Sequence, residues 1–77
     1  MTRRLHNWTA ENIIRFLRNN GFEHSHTRGS HMFYVGNVGN QIKQVCIPFH
    51  GSRSINPKTF KSIIMQSGIS QKYWMEK

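Results

Sequence analysis

The segment Gly36-Asn37-Val38-Gly39-Asn40 decides the middle of the chain. Gly and Asn tolerate the left-handed backbone of tight turns, so this cluster reverses the chain direction. The flanking runs carry strand chemistry. His31 to Val35 is rich in aromatics, and Lys43 to Ile47 alternates, with Val45 and Ile47 on one face and Gln44 and Cys46 on the other. The two runs read as a β-hairpin, and Pro48, which has no ladder N–H, limits further pairing.

Helical signals bracket this hairpin. Residues 8 to 20 read as a helix, with Thr9 as N-cap and Trp8 before it poised to staple onto Ile13. Ala10, Ile13, Ile14 and Leu17 form an apolar stripe at helical spacing, and Arg15 and Arg18 fall outside it. Asn20-Gly21 ends the helix. Phe22 to Ser25 follows as a short strand, then Thr27-Arg28-Gly29-Ser30 as a turn. After a polar loop over residues 51 to 56, Asn56 caps a second helix with Pro57 at its first position. Phe60, Ile63 and Ile64 give that helix its apolar face, and Gly68 closes it. Ser70 starts a last helical turn carrying Tyr73 and Trp74, which either pack onto the domain or meet a partner. The expected architecture is α+β: α-β-β-β-α, two helices packed on one face of a three-stranded antiparallel sheet, as one domain over 1–77.

Charge narrows the function. Eleven Lys and Arg face only three acids, Glu11, Glu23 and Glu76, giving a formal net charge of +8. Without Asp and with scattered Glu, a paired-carboxylate hydrolase or an oxygen cage for Mg²⁺ or Ca²⁺ lacks material. The single cysteine, Cys46, excludes an internal disulfide framework and reads as a small core residue on a central strand. His24 and His26 form His-x-His on one face of a strand, a two-ligand pair without an evident third ligand, so no metal and no cofactor is expected. No apolar run approaches the ~18 residues of a membrane span. The basic start Met1-Thr2-Arg3-Arg4 leads into no apolar segment, so a soluble cytoplasmic protein is expected. Cations spread over a folded domain point to a polyanion, with nucleic acid ahead of a membrane surface.

The element order is that of the double-stranded-RNA-binding domain, and the local motifs are more specific. Gly21-Phe22 closes the first helix, Gly29-Ser30-His31 opens the second strand, and Ile47-Pro48-Phe49-His50 ends the third. Pro57-Lys58-Thr59-Phe60-Lys61-Ser62-Ile63-Ile64 starts the second helix and Ser67-Gly68-Ile69 ends it. Together these resemble the HicA toxin family, small mRNA interferases of bacterial toxin–antitoxin pairs, from about Ala10 to Trp74. Two departures are visible: Lys58 stands where the family often has Gly, and the Gly36 to Gln41 turn carries no acid. The resemblance implies a metal-independent endoribonuclease acting on mRNA. It also implies a HicB-type antitoxin that masks the active face, with a toxin monomeric alone and hetero-oligomeric when bound.

RNA supplies its own nucleophile, the 2′-hydroxyl. An imidazole, whose ordinary pKa is about 6.5, serves as base or acid at neutral pH. His31 occupies the family's catalytic position. Its neighbours are apolar on both strand faces, so the sequence leaves open which face meets the helices. If the hairpin turn centres near Gly39, opposed positions sum to about 78. His31 then faces Ile47 and His50 falls beside Arg28, making His50 a second candidate acid or base. Arg28 and Ser30 would hold the scissile phosphate or its developing charge. Lys58 and Lys61 sit where such folds touch phosphates, close to a helix N-terminus. Phe49 is a stacking platform or a core residue. Two other functions compete with the nuclease: a non-catalytic double-stranded-RNA-binding module, which reads A-form shape over about 16 base pairs, and a protein-interaction domain whose charge only confers solubility.

Overall fold

The computed structural model describes residues 8–51 and 53–75. The basic start, Met1 to Arg4, lies outside the described residues.

The first helix, α1 (Ala10–Asn19), begins where a reciprocal cap sets it. The Asn12 N–H donates to Thr9 Oγ1 and the Thr9 N–H to Asn12 Oδ1, both at 3.2 Å. Trp8 and Thr9 therefore precede the helix. Ala10, Ile13 and Leu17 are fully buried and Ile14 half-buried, as the apolar stripe requires. Gly21, at φ +88°, turns the chain out of the helix, and the Phe22 N–H returns to the Leu17 carbonyl at 2.9 Å.

Three strands follow: β1 (Glu23–Arg28), β2 (His31–Val38) and β3 (Gln41–Pro48), antiparallel in the order β1-β2-β3. Each is longer than its sequence signal. β1 runs through Thr27 and Arg28, so the first turn shrinks to Gly29-Ser30. The second contracts to Gly39-Asn40, whose φ values of +56° and +67° are those of a two-residue type I′ hairpin. Opposed residues of β2 and β3 therefore sum to 79, not 78: His31 pairs with Pro48, Phe33 with Cys46 and Tyr34 with Val45.

The second helix, α2 (Pro57–Ser67), starts on Asn56, whose Oδ1 accepts the Lys58 N–H at 2.8 Å, and stops at Gly68, φ +74°. A last turn, α3 (Gln71–Met75), rests on Ser70, which accepts the Lys72 N–H through Oγ and the Tyr73 N–H through its carbonyl. Helices and sheet share one core: Ala10, Ile13 and Leu17 from α1, Tyr34, Val45 and Ile47 from the sheet, and Phe60, Ile63 and Ile64 from α2. The result is an α+β fold of the double-stranded-RNA-binding-domain type.

Aromatic rings close the core at one side. Phe16 stacks on Trp74 at 4.0 Å, and Trp8 lies 4.8 Å from Phe60 and 5.8 Å from Trp74. Trp8 thus belongs to this ring cluster. Trp74 is buried and Tyr73 exposed, so of the two tail aromatics Trp74 docks the tail. On the sheet, Gly36 is required by packing: a Cβ there would come within 2.7 Å of the Phe22 ring. At the outer edge of β3, Gln66 of α2 reaches over and accepts the Cys46 N–H through Oε1 at 2.9 Å.

Candidate active site

Strand alternation divides the sheet into two faces. Met32, Tyr34 and Val38 of β2, with Val45 and Ile47 of β3, belong to the core on the helix side. His31, Phe33 and Val35 therefore stand on the helix-free face, as do their partners Pro48, Cys46 and Gln44. The one-residue difference in register sets His31 opposite Pro48 and not Ile47, and the packing of Met32 and Tyr34 on the core decides the face that the sequence left open. Strand order corrects the placement of Cys46: β3 is an outer strand, not a central one, and Cys46 stands half-buried on its helix-free face, outside the core.

A bulge shifts the register within β1 by one residue. His24 pairs with Tyr34 but His26 pairs with Phe33, leaving Ser25 as an extra residue between them. The two histidines consequently lie on opposite faces. His24 meets the Tyr34 ring edge-on at 5.4 Å, and its Nε2 lies 2.7 Å from Thr27 Oγ1, both on the helix side. His26 lies flat against Phe33 at 4.4 Å on the other. The His-x-His pair expected on one face is not formed.

After the bulge, β1 alternates regularly, and Arg28 pairs with His31 across the Gly29-Ser30 turn. Directly opposed residues of antiparallel strands hold their Cβ atoms roughly 4.5–5.5 Å apart. Arg28 and His31 thus stand side by side at one end of the helix-free face. Both are exposed, and the His31 ring makes no hydrogen bond to a described residue. Ser30, also exposed, sits in the turn itself. Its carbonyl accepts the Phe49 N–H at 2.7 Å, which extends the β2–β3 ladder one residue past Pro48. His50 follows at once and is exposed. By the same count it comes level with Gly29, not Arg28. Phe49 is half-buried and packs against the core, so its ring belongs to the structure.

The two lysines occupy the other layer. α2 runs antiparallel to β3: its C-terminal end lies over Lys43, which approaches Gly68, and Gln66 lies at Cys46. Eight residues of helix, about 12 Å, carry Lys58 back toward the end of the sheet that holds His31. Lys58 and Lys61 are exposed there. They share an end with Arg28 and His31 but sit on the helix side, and among the described residues no hydrogen bond joins them to the turn.

The sequence reading missed two participants. Phe16, half-buried, completes the ring cluster although it lies beside the apolar stripe. The His26–Phe33 stack depends on the Ser25 bulge, for which the local sequence has no glycine or proline as a marker.

A family model described as the HicA toxin of bacterial toxin-antitoxin matches residues 10–69, from the start of α1 to just past α2, leaving α3 outside the match. Comparisons with curated proteins and with solved structures find no match.

Proposed function

The chain belongs to the HicA toxin family of bacterial toxin–antitoxin systems, and from that premise we propose that it is an endoribonuclease that cleaves mRNA through His31 and is neutralised by a HicB-type antitoxin. The observation that carries the reading is the position of His31: an exposed imidazole beside a guanidinium, at the end of an uncovered sheet face in a domain of net charge +8.

The chemistry asks little of the protein. The 2′-oxygen attacks the adjacent phosphorus and gives up its proton to a base. The 5′-oxygen leaves with a proton from an acid, and a 2′,3′-cyclic phosphate remains. His31 serves as the base or the acid, and His50, one residue past the ladder that ends at Ser30 and Phe49, is the candidate for the complementary role. Arg28 neutralises charge that builds on the phosphorane oxygens, with Ser30 as a hydrogen-bond donor in the adjoining turn. Lys58 and Lys61 hold the flanking backbone where it crosses from the sheet end to the helix layer. The charge also suits the antitoxin: an acidic partner is steered rapidly to this surface. Toxin action on mRNA places the protein in the cytoplasm. Among the described residues no helix is long and apolar enough to cross a membrane.

Substituting His31→Ala tests the reading. The variant is expected to retain its fold and RNA affinity while cleavage and growth arrest are abolished, read by gel assay of a purified transcript and by plating after induction. Growth arrest equal to the parent's would overturn it. The fold type supports one other reading, a double-stranded-RNA-binding module in which Arg28, Lys58 and Lys61 hold phosphates and no bond is broken. That reading predicts strong duplex binding and no effect of His31→Ala on growth.

A further inference from the structure

Of the rows of side chains that cross the helix-free face, the cleavage reading uses only the outermost. Arg28, His31 and Pro48 form the row at the turn; His26, Phe33 and Cys46 form the next row inward. In that second row the His26 imidazole and the Phe33 ring are stacked, 4.4 Å between centroids and 6° between planes. Ser25 Oγ lies 3.0 Å from His26 Nδ1 and holds the imidazole in this orientation. His26 is exposed. Phe33 covers one face of its ring, and among the described residues no aromatic ring covers the second.

We propose that a nucleobase of single-stranded RNA extends this stack, one nucleotide away from the phosphodiester held at His31. The inference rests on the ribonuclease reading and adds to it how the substrate is gripped. Positions 31 and 33 share a face of β2 and stand about 6.6 Å apart, a span comparable to one nucleotide step of an extended strand. A backbone whose phosphate lies between Arg28 and His31 therefore brings a neighbouring base level with the aromatic pair. Every base has a π-face, so the grip tolerates any sequence, as an enzyme acting on many messages requires. Of the rows that flank the stack, the outer carries Arg28 and the inner Glu23; the backbone is placed along the outer, cationic row, and the net charge of +8 favours a polyanion as the occupant. The large exposed apolar residues that would anchor a protein partner, Ile42, Met65 and Tyr73, all lie outside the two rows.

The test uses the His31→Ala protein, in which RNA stays intact, titrated with a short single-stranded RNA containing 2-aminopurine. Binding is expected to quench the fluorophore by stacking. Adding His26→Ala is expected to weaken binding about tenfold and abolish quenching while leaving the salt slope unchanged, since no phosphate contact is lost. His26→Phe is expected to restore both. Melting curves of all three proteins establish that each is folded. Unchanged affinity and quenching in His26→Ala would overturn the stacking assignment, as would a loss confined to binding of an acidic antitoxin. A parent protein that cleaves RNA while His26→Ala binds as tightly as before sinks this inference alone. A parent that neither binds nor cleaves RNA sinks the ribonuclease reading with it.

Discussion

The two faces of the sheet are made from the same strands by alternate residues, yet they do opposite work. On the helix side, Tyr34, Val45 and Ile47 vanish beneath α1 and α2. On the other side, Arg28, His26 and His31 stay in water, and Phe33 and Cys46 are only half-buried. Hydrophobic burial supplies stability where packing is dense, and the helix-free face is released from that task. Polar and titratable groups collect on it because nothing there has to be excluded from solvent. The packed core and the proposed site are thus separated by a single pleat.

Substitutions can break or sharpen this contrast. Phe60→Ala, in the middle of the helix-side core, is expected to cost about 3–5 kcal/mol. For a domain of this size that lowers the melting temperature by about 12 °C or more, measurable by circular dichroism. Gly36→Ala acts at the margin of the same core. Its Cβ drives into the Phe22 ring, and overpacking of this kind costs about 1–3 kcal/mol, visible as a lower urea midpoint at unchanged slope. His31→Ala, on the open face, is expected to change stability by no more than about 0.5 kcal/mol. A larger loss in the same urea titration would mean that the imidazole serves the fold, and the division between faces would fail.

How much of this was legible in the sequence depended on whether a signal was local. Thr9, Asn56 with Pro57, and Gly68 each act on the few residues beside them, and each marks its helix boundary. The apolar stripe of α1 and the Phe60, Ile63, Ile64 set likewise identify the core, because helical spacing leaves them no other face. Register is different. It depends on whether the hairpin turns about Gly39 or about Gly39-Asn40, and a shift of one residue exchanges the two faces of every paired position. Counting from Gly39 set His31 opposite Ile47 and left its face open. The left-handed backbone at Asn40 sets it opposite Pro48, in solvent. The bulge at Ser25 evaded the sequence for a related reason: it answers to the mismatch between two strands, which neither strand contains by itself. The candidate site itself follows closely from the motifs. Arg28, Ser30 and His31 come together because a two-residue turn, Gly29-Ser30, joins β1 to β2, while the shift of one position in register changes both the partner of His31 and the place of His50.

The Gln66 side chain has a consequence beyond its own hydrogen bond. By occupying the Cys46 N–H it stitches the outer rim of β3 to a helix, while the opposite rim, β1, is bent by its extra residue. A flat row of unused peptide groups is what lets sheets of separate molecules fuse into fibres. Neither rim here offers a long, straight template, so copies crowded together at high concentration are expected to remain individual particles.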